Sequence, residues 1–180
     1  MKRYWRLLLC LALLLVIGAS LLHPAVHWRL IGWARGEAFY LGRPTSYWKS
    51  ECRQWEHRYD HPAGSWTGHF HWVRHSTWLE MRIGQWTGQL PAKTAEKMPL
   101  LQGDQAAVHV IVELAGQDDP HVLYVALFGM GSIMCEHREN IEPTIRSALI
   151  PTLQRVARRQ DEEGSIAAVL LRHLEAKYEP

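Results

Sequence analysis

The chain has 180 residues, with 20 Lys and Arg against 18 Asp and Glu, and a formal net charge of +2. That length bounds one domain with at most a small appendage, enough for a single hydrophobic core. Neither half carries the Lys and Arg density needed to neutralise many phosphates, which argues against nucleic-acid binding.

The charge is unevenly spread. Residues 1–95 hold 12 Lys and Arg against 5 Asp and Glu, a balance of +7, and residues 96–180 hold 8 against 13, a balance of −5. All nine Trp lie at or before Trp86. A basic, Trp-rich first half and an acidic, aliphatic second half are expected to do different structural work. The three cysteines, Cys10, Cys52 and Cys135, form no Cys-x-x-Cys pair, so neither a zinc ribbon nor a thioredoxin-like redox site is indicated. Pairing of Cys52 with Cys135 would require an oxidising compartment, and nothing in the sequence brings the two together.

The N-terminus, "MKRYWRLLLCLALLLVIGASLLHPAVHW", places Lys2, Arg3 and Arg6 before an uncharged run from Leu7 to Leu22. Sixteen helical residues span about 24 Å, slightly short of the ~30 Å hydrocarbon core, and Tyr4, Trp5 and Trp28 are suited to its interfaces. Residues 1–28 therefore read as a transmembrane anchor, or alternatively as a signal peptide cut after the small residues of "IGAS". Either reading carries the remainder out of the cytoplasm. The anchor reading gives a single-pass inner-membrane protein, and the signal reading a secreted or periplasmic one.

Residues 29–99 form the next segment. Trp28, Trp33, Arg29 and Arg35 suggest an interfacial collar. Gly36, Gly42 and Pro44 mark a loop, and Thr45 or Ser46 is expected to cap a helix running to Tyr59, with Trp48, Cys52, Trp55 and Tyr59 on one face. "GRPTSYWKSE" lacks the glycines and the Lys-Ser/Thr ending of a phosphate cradle, so it reads as the joint that starts a capping helix. The following stretch holds His57, His61, His69, His71 and His75. The spacings His69-x-His71 and His71-x3-His75 are ones that zinc ligation uses, which makes His69, His71 and His75 the candidate metal ligands, with Asp60 as a carboxylate partner. No His-Glu-x-x-His accompanies them. A short helix is expected near Ser76 and Thr77, with the Trp residues roofing the first helices.

From Leu100 the texture turns helical. Asp104 is expected to cap a first helix with Val108, Ile111 and Leu114 inward. Asp119-Pro120 is expected to start a second, with Leu123, Ala126, Leu127, Met130 and Ile133 inward. A shift of 42 residues carries Val108 onto Ile150, Ile111 onto Leu153, Asp119 onto Asp161 and Ala126 onto Ala168. On these residues the chain resembles the HEAT-like helical repeats, whose period lies in this range. The match covers about residues 100–178. It departs from the family pattern at Tyr124, where Arg is usual, and at the second copy, which has no Asp-Pro and carries Pro151 inside its first helix.

The layout also resembles that of small membrane-anchored bacterial HEAT-like repeat proteins. The resemblance implies an all-α fold, an N-terminal transmembrane or signal helix followed by repeats over residues 100–180, and a surface that binds proteins. It supplies no catalytic residues. Ser76 beside His75 and Cys135 beside His137 are neighbours only along the chain, and no Gly-x-Ser-x-Gly surrounds either serine. The expectation is a non-enzymatic, membrane-anchored scaffold without a cofactor, binding an unidentified protein outside the cytoplasm. The alternative is an exported metal-binding domain built on the central histidines.

Overall fold

The computed structural model describes residues 4–5, 10–16, 18, 24–60, 69–87, 98–137 and 141–176. The elements are α1 (Pro24–Arg35), β1 (Phe39–Tyr40), β2 (Arg43–Pro44), α2 (Thr45–Cys52), β3 (Trp55–Asp60), β4 (His69–Arg74), α3 (Trp78–Thr87), α4 (Val108–Leu114), α5 (Pro120–Glu136), α6 (Pro143–Ala157) and α7 (Glu162–Ala176). Two single turns of 3-10 helix, Pro99–Leu101 and Gln105–Ala107, precede α4. The protein is mostly helical, but it is not all-α. β1 pairs with β2 and β3 with β4, each as a two-stranded antiparallel ribbon.

The anchor expected over residues 1–28 is corrected. Residues 10–16 are helical with exposed side chains, while residues 1–3, 6–9, 17 and 19–23 lie outside the described set. Among the described residues no helix is long and apolar enough to cross a membrane. The transmembrane and signal-anchor reading falls on that ground, and with it the single-pass inner-membrane placement and the membrane as a partner through this helix. The helix α1 instead passes through Trp28 and docks on the folded domain. Trp28 meets Tyr47 edge to face at 5.9 Å, and Gly32 lies so close to β2 that a Cβ there would sit 2.2 Å from Pro44 Cβ.

The joint after α1 is a tight hairpin. Leu41 and Gly42 both take positive φ, 50° and 70°, the pairing that two-residue hairpin turns require to match strand twist. Arg29 Nε donates to Gly42 O at 3.0 Å and holds the tip against α1. The N-terminus of α2 is not capped by its own Thr or Ser, as the sequence suggests. Pro44 occupies the cap position without a side-chain bond. The free amides are met from upstream instead, Thr45 N by Ala38 O at 3.0 Å and Ser46 N by the Glu37 carboxylate at 2.8 Å.

The helix expected to run from 46 to 59 ends at Cys52. Trp48 and Cys52 are buried as its periodicity requires. Beyond the turn at Arg53 and Gln54, "WEHRYD" alternates with period two and finds "HFHWVR" as its partner, in the register Trp55 with Arg74 and His57 with Trp72. An alternating segment with a cross-strand mate gains ladder hydrogen bonds that a helix continued alone would not bring into contact with these residues.

The core is one continuous cluster running from Tyr40 through Trp48, Ile111, Leu127 and Leu153 to Leu174. At its centre lies α5, with Val122, Leu123, Val125, Ala126, Leu127, Met130 and Ile133 buried around much of its circumference. The helices α2, α4 and α7 and the first 3-10 turn all pack on it. Asp119 caps α5 as expected, accepting from Val122 N at 3.3 Å, whereas Asp104, accepting from Ala106 N at 2.9 Å, caps the 3-10 turn that leads into α4 rather than α4 itself. Asp161 does the same for Gly164 N at the start of α7.

The HEAT-like repeat is also corrected. The 42-residue shift carries Pro120 onto Glu162, the first residues of α5 and α7. It carries Val108, the first residue of the seven-residue α4, onto Ile150 in the middle of the fifteen-residue α6. One helix of the unit superposes in sequence and the other does not, so the two pairs are unequal structures and no repeat architecture is shown.

Glu113 on α4 ties the β1–β2 hairpin and the start of α2 to the helical core. Its carboxylate accepts from Ala38 N at 2.9 and 3.1 Å and from the Thr45 hydroxyl. Glu113→Ala strands these donors in a partly buried site. We expect the free energy of unfolding in urea to fall by about 3 kcal/mol, with Glu113→Gln losing less. A loss below about 0.5 kcal/mol would mean that water replaces the carboxylate at little cost.

Candidate functional site

Strand pairing sorts the histidine-rich hairpin into two faces. Trp55, His57, Trp72 and Arg74 share one, and Glu56, Arg58, His71 and Val73 the other, because opposed residues in an antiparallel pair project to the same side. The first face seats on α5. The His57 ring lies 4.9 Å from Trp72 and 5.0 Å from Phe128, and its Nδ1 shares a hydrogen bond with the Tyr124 hydroxyl at 3.1 Å. Trp72 meets Phe128 edge to face at 5.5 Å. His121 secures the strand start by donating from Nε2 to Trp55 O at 2.7 Å. Burial against these rings, and secondarily the neighbouring His71, hold the His57 pKa below its ordinary value.

The candidate metal ligands occupy different settings. His69 and His71 are two residues apart in β4, paired in register with Asp60 and Arg58. The side chain of His69, and all of His61, lie outside the described residues. His75 follows the strand, and its Nε2 is 2.8 Å from Glu56 Oε2, a carboxylate that also accepts from Arg58 Nε at 2.9 Å. These two donors hold the Glu56 pKa below its usual range. Among the described residues no group of three or more His, Cys, Asp or Glu is placed to hold a metal ion.

The pairs considered for catalysis gain nothing from the fold. Cys135 is exposed on α5, while the ring of His137 is bonded to Gly103 O at 3.0 Å. Cys52 is buried and unpaired, and burial pushes its thiol up to about 12, leaving it a protonated core group at neutral pH.

The short helix expected near Ser76 and Thr77 is α3, and what sequence reasoning missed is its exposed apolar face. Thr77 and Glu80 form a reciprocal cap, with Thr77 N bonded to the Glu80 carboxylate at 2.8 Å and Glu80 N to the Thr77 hydroxyl at 3.2 Å. Arg74 locks this start to the domain through Glu80 at 3.1 Å and Glu51 at 2.9 Å. The Trp residues of this stretch were expected to roof the first helices. Instead Trp78 is 67% exposed, Ile83 54% and Trp86 91%. These three, with Arg82 and Thr87, line a groove of about 380 Å³. The spacing 78, 82, 86 was the available signal, since residues four apart stack along one side of a helix. What the spacing alone does not reveal is that, among the described residues, this side stays exposed.

No family model, no curated protein and no solved structure matches this chain, which removes the support for a HEAT-like family.

The lowered pKa of His57 fixes the sign of a pH effect. The unfolded chain takes up this proton first, so the contribution is complete above the ordinary histidine value of about 6.5 and is lost as pH falls through the lower folded value. The difference in unfolding free energy between the parent chain and His57→Gln should therefore be constant above about pH 7.5 and shrink on acidification below about pH 6.5. Urea titrations across this range provide the check, and a pH-independent difference would contradict it.

Proposed function

We propose that this chain is a non-enzymatic, helix-rich protein-binding domain whose contact surface is the exposed face of α3. The observation that carries the reading is the set Trp78, Ile83 and Trp86, three large apolar side chains left in water around one groove on a helix whose start is firmly capped. Single exposed apolar residues are ordinary, whereas a contiguous group on a rigid support is characteristic of an interaction site. Trp is the residue most enriched among the few that dominate binding energy, because it buries a large rigid surface.

A second reading follows from β4. A strand places His69 and His71 at the two-residue spacing that metal sites use, so a zinc or copper ion held by His69, His71 and His75 remains the alternative. It predicts stoichiometric metal in the purified chain, lost in His69→Ala/His71→Ala; metal at trace level in the parent chain would end it.

For the primary reading, a photocrosslinking amino acid is placed at Trp86 and, as a control, at the exposed Ser147 on α6, in cells making the full chain. Discrete adducts from position 86 and none from 147 are expected. In the purified complex, Trp86→Ala should weaken binding by about 2 kcal/mol, roughly thirtyfold. Equal adduct patterns from both positions would overturn the assignment of the surface.

A further inference from the structure

The charges on α3 narrow the chemistry of what it binds; the inference rests on the proposed docking face. The helix carries one acid and one base, Glu80 and Arg82. Glu80 is committed, bonded to Arg74 and to the amide of Thr77. Arg82 is not. No carboxylate among the described residues forms an ion pair with it, and its guanidinium carbon lies 5.5 Å from the centroid of the Trp78 ring. The groove therefore presents one uncompensated cation between two exposed indoles.

A guanidinium is planar, permanently charged and carries donors in a fork that matches a carboxylate. Flanking indoles lower the local dielectric once an occupant excludes water, which strengthens such a pair. The apolar requirement is as specific. Trp78, Ile83 and Trp86 gain only from a group that buries them, at roughly 25 cal/mol per Å² of apolar area removed from water. From Trp78 to Trp86 the helix rises about 12 Å, the length of three or four extended residues. A groove of about 380 Å³ falls at the small end of the ~300–1,000 Å³ range of ligand sites.

We infer that this groove recognises a protein segment in which a carboxylate stands next to an aromatic or aliphatic side chain. Arg82 pairs with the carboxylate, and Trp78, Ile83 and Trp86 enclose the apolar group. A membrane surface fits less well. Interfacial helices hold anionic lipid with several cations along a polar face, and α3 offers a single one beside a carboxylate already engaged.

The test uses the full chain and a minimal probe, N-acetylphenylalanine, against its amide, which differs only in lacking the carboxylate charge. Indole N–H signals of Trp78 and Trp86 are followed by NMR and assigned by substitution. We expect saturable shifts of both with the acid, at least tenfold weaker binding of the amide, and a similar loss for the acid in Arg82→Gln, partly restored in Arg82→Lys. Circular dichroism confirms that these surface variants fold. Equal binding of acid and amide would overturn the inference, as would unchanged binding in Arg82→Gln. Saturable shifts with vesicles of phosphatidylcholine and phosphatidylglycerol but none with the acid would overturn it in favour of lipid. Concentration-dependent shifts of the same indoles without any probe, together with no response to the acid, would overturn it in favour of a second copy of the chain. If position 86 still crosslinks to a protein in the Arg82→Gln background at undiminished yield, the docking face stands and only the carboxylate chemistry fails.

Discussion

The fold depends on one carboxylate that closes a long loop. Glu113 sits on α4, yet its partners, Ala38 and Thr45, lie 75 and 68 residues earlier in the chain. An acid in a partly buried site is costly unless its oxygens are met, and here the Ala38 amide, forked between both of them, and the Thr45 hydroxyl donate to it. The same contact fixes the β1–β2 hairpin and the start of α2. Trp48, which donates from its indole to Tyr40 O at 3.2 Å and is almost wholly buried, reaches the core only because α2 begins where it does. Lys49 to Gln117 and Arg53 to Asp119 extend the seam along the same side, at 2.7 and 2.8 Å. These exposed or half-exposed pairs add little energy singly, and their value is in fixing register.

A second joint holds the histidine-rich hairpin to α5. It is built differently, from stacked rings and from the hydrogen bonds of His57 to the Tyr124 hydroxyl and of His121 to Trp55 O. His57 and Trp72 from the hairpin meet Tyr124 and Phe128 from the helix, and offset or edge contacts of this kind contribute about 0.5–1.5 kcal/mol beyond area burial. Burial among these rings disfavours the charged imidazole, which is the main reason the His57 pKa lies below its ordinary value. Chain order then makes α3 a rider on this joint. Arg74 ends β4 and clamps the cap of α3, so the position of the exposed Trp face follows from how the hairpin is seated.

That arrangement accounts for the uncovered aromatic face. The stable part of α3 is its first turn, where the Thr77–Glu80 cap and Arg74 hold it. Trp78 in that turn and Ile83 and Trp86 beyond it point outward, while Gly84 is buried. With its polar start anchored and its apolar side free, the helix is positioned by contacts that do not use the residues proposed for binding. Such separation leaves the apolar side open to a partner without disturbing the contacts that place the helix, and a helix already formed lowers the entropic cost of association.

Local chemistry in the sequence determined much of the second half. Asp104, Asp119 and the inward positions of α5 were legible because caps and a 3.6-residue period depend only on near neighbours. The burial of Trp48 and Cys52 was legible for the same reason. The end of α2 at Cys52 was not, because Trp55 and Tyr59, four residues apart, fit both a helical face and an alternating strand, and only pairing with residues 69–74 decides between them. The 42-residue similarity proved a likeness of apolar spacing, which any two packed helices share. The apolar N-terminus was legible as apolar, but hydropathy did not reveal that α1 would dock through Trp28 and Gly32. The same holds for Trp78 and Trp86, since period says which side of a helix is apolar and only the tertiary structure decides whether another element covers it.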